Sequence, residues 1–108
     1  MTSGDIVLIP FPFAELTQLK ARPAVVISET ADKYHDLIVA AISSVIPSEL
    51  SKNEFLVTPN QENGLRAESV VKVDRIVTTK AENIIVHLGK LSGVDRTKLK
   101  AIFSTLIE

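Results

Sequence analysis

The sequence predicts an α+β fold that is mainly β: a small, partly open antiparallel barrel followed by one C-terminal α-helix. Three observations lead there. Short apolar runs rich in Val and Ile fill most of the chain and are separated by Pro, Asn-Gly and polar stretches. The last segment changes period, with Leu99, Ile102, Phe103 and Leu106 recurring at helical spacing. The chain has 108 residues and shows no repeat, linker or low-complexity run, so one domain is expected over 1–108. Strands first and a helix last suit an α+β layering, and strands this short suit a small barrel.

The elements follow in order. Residues 5–10 carry Ile6, Val7, Leu8 and Ile9, a short β-type run. Pro10 and Pro12 lack a backbone donor and are expected to bar a continuous central ladder. Residues 13–21 mix polar and apolar side chains and read as a mobile connection. A second strand is expected at 23–28 and a third at 37–42, the latter ending at the hydroxyl pair Ser43-Ser44. Residues 55–57 form a short fourth strand stopped by Pro59 and Asn60, and Asn63-Gly64 is a turn signal. Residues 69–78 are the longest β candidate, and 84–88 add one more short strand. Ser92, with Asp95 three positions later, resembles a capping box that starts the helix.

Composition narrows the function. Without cysteine, neither a disulfide framework nor a thiolate metal site can form. The first residues lack the basic and apolar pattern of a secretory signal, and no apolar run approaches the roughly 20 residues that span a bilayer. A cytoplasmic protein is expected. The net charge is −1, so the chain as a whole has no basic footprint for nucleic acid. Any phosphate site must be a local gathering of Lys and Arg or must form across a dimer.

Several residues stand out on their chemistry. Pro23 forces Arg22 out of the helical region and holds it extended at a strand entry. A guanidinium there is either an edge cation in a surface salt bridge or a two-pronged phosphate ligand. Ser43 and Ser44 either start a turn or present hydroxyls to a ligand. Lys72 and Asp74, two apart on the long strand, point to one face about 7 Å apart. They are either a cross-strand charge pair or a phosphate contact beside a proton acceptor. Lys20, Arg22, Lys72 and Arg75 are the cations from which a basic groove could be built. Phe11, Phe13 and Phe55 are the aromatic faces on which unpaired bases could stack, although the core is expected to claim most of them. His87, in an apolar strand, suits a structural role, His35 sits in a loop from which it could touch a substrate, and no His, Asp and Glu spacing resembles a metal site.

The stretch Gly4-Asp5-Ile6-Val7-Leu8-Ile9-Pro10-Phe11-Pro12-Phe13, followed by Arg22-Pro23-Ala24-Val25-Val26-Ile27-Ser28, closely resembles the MazF/PemK family of toxin ribonucleases. The likeness continues through Val39-Ala40-Ala41-Ile42-Ser43, Ser69-Val70-Val71-Lys72-Val73-Asp74 and His87-Leu88-Gly89-Lys90-Leu91-Ser92. It implies an SH3-like barrel of the CcdB/PemK type, a homodimer, and metal-independent cleavage of single-stranded RNA with no cofactor. It also implies a cognate antitoxin of the MazE type whose acidic tail covers the active groove. On the same basis Arg22 corresponds to the family's catalytic arginine. Ser43 stands where the family usually has a threonine, keeping the hydroxyl but losing the methyl that restricts its rotamer. Lys72 stands where some members have arginine, and Asp74 matches an aspartate assigned to acid–base work. The resemblance thus implies Arg22, Ser43 and Asp74 as catalytic, and Lys20, Ser44, Phe55, Lys72 and Arg75 as RNA-binding. Two other outcomes stay open: a catalytically weak member acting as an antitoxin-binding module, and a CcdB-like gyrase poison.

Overall fold

In the computed structural model, residues 1–12 and 19–107 are described. They form six strands and a helix: β1 (Asp5–Pro12), β2 (Leu19–Glu29), β3 (Leu37–Ser43), β4 (Glu54–Val57), β5 (Ser69–Thr79), β6 (Val86–Lys90) and α1 (Gly93–Thr105). The strands make one sheet in the order β4-β5-β3-β2-β1-β6, with every pairing antiparallel, curled into a half-barrel. This is the mainly-β architecture with a terminal helix that the sequence predicts. No helix among the described residues is long and apolar enough to cross a membrane.

Both faces of the central strands are buried, which explains why they read as continuous apolar runs rather than alternating ones. One face carries Ile6, Val25, Ala40, Ile42, Phe55, Val57, Val71 and Val73, packed with Leu99 of α1. The other carries Val7, Ile9, Ala24, Val26, Leu37 and Val39, with Phe11, Val77 and Ile84 against them. The helix begins as its sequence suggests, with the Ser92 hydroxyl accepting the Asp95 N–H at 3.1 Å. Only half of the capping box forms, because the Asp95 carboxylate lies 3.8 Å from Lys98. Leu99 is buried on the predicted stripe, and Ile102, Phe103 and Leu106 pack beside it.

Three boundaries differ from expectation, each for a pairing reason. Pro10 and Pro12 do sit in a ladder, opposite Ala21 and Leu19. The Leu8 carbonyl accepts from Ile85 N at 2.8 Å, so Leu8 turns its polar groups toward the β6 edge. Residues two and four further on face that same edge, and β6 pairs β1 no further than Leu8. The missing proline donors therefore cost no hydrogen bond. Second, Leu19–Ala21 belong to β2, since β1 supplies a partner for this weakly patterned segment. The rest of the expected mobile connection, residues 13–18 with Phe13, lies outside the described residues. Third, a short 3-10 turn at Ala81–Asn83 pushes the last strand two residues later than expected, to Val86–Lys90.

The Asn63-Gly64 turn is held by a fully buried carboxamide. The Asn63 Oδ1 accepts from Asn60 N (3.2 Å) and Leu65 N (3.0 Å), and its Nδ2 donates to the Thr58 carbonyl at 3.0 Å. Gly64 has φ +69°, and a Cβ there would collide with the Leu88 carbonyl. Gly89 lies equally close to the Glu62 carbonyl from the other side. Two side-chain-free positions let this turn press onto β6, and that contact fixes where residues 65–69 go.

Candidate active site

Arg22 lies on β2 opposite Ile9 of β1 and is half-buried. The β2–β3 ladder is paired to Ala24↔Ala41. Arg22 and Ser43 lie two residues beyond this last pair on their strands, so both fall on the same face of the sheet, the one that carries Ala24 and Ala41. Ser43 ends β3 opposite Val70 of β5, and its Oγ accepts the Val45 N–H at 3.1 Å. A hydroxyl has one proton to give and two lone pairs. The turn occupies one lone pair and fixes the oxygen, which leaves the proton to donate outward.

Lys72 pairs with Ala41 and so stands diagonal to Ser43 on the same face of the sheet. Its ammonium is 3.4 Å from the Glu54 carboxylate. Glu54 is held below its ordinary carboxylate value, first by the Ser51 N–H that donates to it at 2.8 Å and then by Lys72. Lys72 thus forms the cross-strand charge pair that the sequence left open. Asp74 is four residues from Val70 on β5, roughly 13 Å along the strand, and its Oδ2 accepts from Asn53 Nδ2 at 3.1 Å. A general base must lie within about 3 Å of its proton, so the structure does not bring Asp74 to the Arg22–Ser43 pair. Three residues of β5, Val73, Asp74 and Arg75, intervene where β3 steps directly from Ala40 to Ala41. This irregularity was not visible in the sequence.

Two further expectations change. Phe55 is only 6% exposed and belongs to the core, so its ring cannot meet a base. Its partner Val71 and the α1 stripe claim that face, as the alternation of a half-buried strand requires. The cations Lys20, Arg22, Lys72 and Arg75 do not converge on one groove. Lys20 is exposed opposite Phe11, and Arg75 is exposed in the β5 irregularity.

A different groove of about 440 Å³ opens beside Arg22. Arg22 and Ser44 border it together with Arg66 and Ser69 from the turn after Gly64, over an apolar wall that includes Leu8, Pro23, Ile42 and Leu65. None of its lining side chains is acidic. Arg22 and Arg66 are the basic residues that border it. Arg66 carries no sequence signal of its own. Only the preceding Asn-Gly turn hints that the chain folds back there. Among the described residues, no three His, Cys, Asp or Glu side chains cluster to hold a metal ion.

A family model described as PemK-like, MazF-like toxin of type II toxin–antitoxin system matches residues 2–108. The chain belongs to this toxin family. Solved structures share the fold. A mycobacterial endoribonuclease in complex with its cognate antitoxin superposes with a TM-score of 0.73 at 16% identity, covering 99% of this chain and 94% of that one. The Mycobacterium tuberculosis toxin MazF-mt6 gives 0.68 at 20% identity over 94% and 95% of the two chains. Another mycobacterial endoribonuclease gives 0.69 at 14% identity over 99% and 90%. No curated protein sequence gives a significant match. At these identities the shared feature is the MazF-type fold, here the half-barrel with its C-terminal helix.

Proposed function

We propose that this MazF/PemK-family toxin is an endoribonuclease that cleaves single-stranded RNA by attack of the ribose 2′-hydroxyl on the neighbouring phosphodiester. The products are a 2′,3′-cyclic phosphate and a free 5′-hydroxyl. This reading is supported by the family match together with Arg22 and Ser43 falling on one face of the sheet just beyond the Ala24–Ala41 pair of β2 and β3. RNA brings its own nucleophile, so the protein need only align it and stabilise the developing charge. The Arg22 guanidinium stabilises the phosphorane-like oxygens with its planar fork of donors. The Ser43 hydroxyl, fixed by Val45, donates its proton to a non-bridging oxygen and sets the phosphate in line. Charge stabilisation falls to these side chains, and no step is assigned to a metal. Lys72 adds positive potential from one diagonal step away, muted by Glu54.

The partners proposed with this activity are a second copy of the chain and an acidic antitoxin segment that folds over the site, in the cytoplasm. One structural neighbour is an endoribonuclease in complex with its cognate antitoxin, which supports such a partner. The test is purified wild type against Arg22→Ala on a single-stranded RNA, with and without a chelator. Wild type is expected to cleave in both conditions and to leave ends that carry cyclic phosphate. A matching RNA with a single 2′-deoxy ribose at the cleaved position is expected to resist. Equal rates for wild type and Arg22→Ala would remove Arg22 from the mechanism.

A further inference from the structure

We propose that the groove between α1 and the Ser28 end of β2 binds a small amphipathic organic anion, its charged head between Arg96 and Lys100 and its apolar body on Ile27, Leu99 and Phe103. The groove has a volume of about 530 Å³, within the roughly 300–1,000 Å³ of single small-ligand sites. It lies on the α1 side of the sheet, since Leu99, Ile27 and Phe103 belong to the cluster packed there. Arg22 and Ser43 are on the other face, with Ala24. Ser28 is six positions from Arg22, roughly 20 Å along β2. The site is therefore separate from the candidate catalytic residues and does not depend on the endoribonuclease reading.

Local structure shapes the groove. The β2–β3 register passes from Val26↔Val39 to Ser28↔Ile38, which makes Ile27 an extra residue in β2. Plain alternation would turn Ser28 to the Val26 side. The bulge turns it to the side of Ile38 and Ala40 instead, so Ile27 and Ser28 both border the groove. Gly4, with φ +97°, has no side chain, and a Cβ there would lie 3.2 Å from Arg96 Cδ, so the Arg96 stem is seated over it. Arg96 and Lys100 are four apart on one side of α1, both exposed, and neither makes an ion pair among the described residues. Like charges at this spacing repel, and no acidic side chain lines the groove to relieve them. Asp95 lies 3.8 Å from Lys98 and Glu29 lies 3.1 Å from His35, so these neighbouring carboxylates have other partners. The Thr97 and Ser28 hydroxyls donate to the Gly93 and Glu29 carbonyls, at 2.9 and 3.3 Å, so the strong donors to an anion are Arg96 and Lys100. Two adjacent cations beside an apolar floor match one charged head on an apolar body. An RNA strand or an acidic peptide carries a row of charges, which the remaining lining does not answer.

The experiment titrates the fluorescent anion anilinonaphthalenesulfonate, and its uncharged parent anilinonaphthalene, into wild type, Arg96→Gln, Lys100→Gln and Lys100→Glu. Wild type is expected to bind a single anion per chain, and the uncharged parent at least about tenfold more weakly. Each Gln substitution should weaken anion binding about tenfold, the loss of one charge-assisted hydrogen bond, and Lys100→Glu should weaken it further. Binding of the uncharged parent should not change. Both positions are exposed on α1, so circular dichroism and the melt without probe should match wild type for every variant. The anion should raise the melting temperature of wild type by mass action and that of Lys100→Glu far less. RNA cleavage by the variants should stay within about twofold of wild type. Unchanged anion affinity in both Gln variants would overturn the site, as would equal binding of the charged and uncharged probes. Displacement of the probe by a single-stranded oligonucleotide or an Asp/Glu-rich peptide would overturn it in favour of a macromolecular partner. Binding only to anionic phosphatidylglycerol vesicles, and not to the free probe, would overturn it in favour of a membrane surface. Failure of wild type to cleave RNA would sink the proposed function and leave this site standing.

Discussion

At the Ser43 end of β3, Ser43 and Arg66 keep hydrogen-bonding capacity, whereas around Lys72 the polar side chains satisfy one another. Ser43 takes a backbone N–H on its oxygen and keeps its proton, and Arg66 makes no ion pair among the described residues. Around the start of β4, Lys72 meets Glu54, Asn53 meets Asp74, and Phe55 turns into the core. The two regions are neighbours on one sheet with similar composition. The first is the one proposed to meet a phosphate, and the other mainly holds β4 to β5. A residue's type therefore says less about function here than whether the fold has already given it a partner.

Substitutions sharpen this contrast in decreasing order of effect. Arg22→Ala is expected to lower kcat about 10³-fold, as loss of a fixed donor to the transition state does, read from single-turnover cleavage. Phe55→Ala should cost about 3 kcal/mol of stability in denaturant titration, with little change in kcat per folded molecule, because its ring packs the core. Ser43→Ala should slow cleavage about thirtyfold, and Ser43→Thr should stay within about threefold of wild type because the hydroxyl is kept. Lys72→Gln and Asp74→Asn should each change kcat by less than about threefold, since both side chains are engaged by neighbours. A large loss in either would erase the distinction between the two regions.

The smallest effect concerns pH. The Glu54 carboxyl is held below its ordinary value by Ser51 and Lys72, so its folded-state value is the lower one. Its contribution to stability is fully present above the ordinary carboxylate range and is lost as pH falls through the folded value. Unfolding measured on both sides of that range should show wild type losing slightly more stability on acidification than Glu54→Gln. An equal loss would show that the pair contributes nothing.

Much of the fold was written in local pattern. Runs such as Ile6 to Ile9 and Ala24 to Ile27, short, β-branched and flanked by Pro or Gly, point to buried strands, and the stripe from Leu99 to Leu106 with its Ser92 cap points to a helix on the core. The family likeness likewise rests on contiguous residues, and the family match over 2–108 bears it out. The edges of strands were less legible. Whether Lys20 extends β2 or Pro10 interrupts β1 depends on which neighbour lies alongside, and no local signal encodes that.

The sequence by itself determined strand content, the terminal helix, family membership and the chemical types at Arg22 and Ser43. Tertiary structure alone decided which of the polar residues meet. It turned Phe55 inward, gave Lys72 to Glu54, separated Asp74 from Ser43, and brought Arg66 to the groove beside Arg22 through a turn pressed onto β6. The physical reason is range. Propensity and periodicity act over a few residues, whereas which residues border the groove beside Arg22 depends on strand register and a distant glycine contact that only the paired sheet supplies.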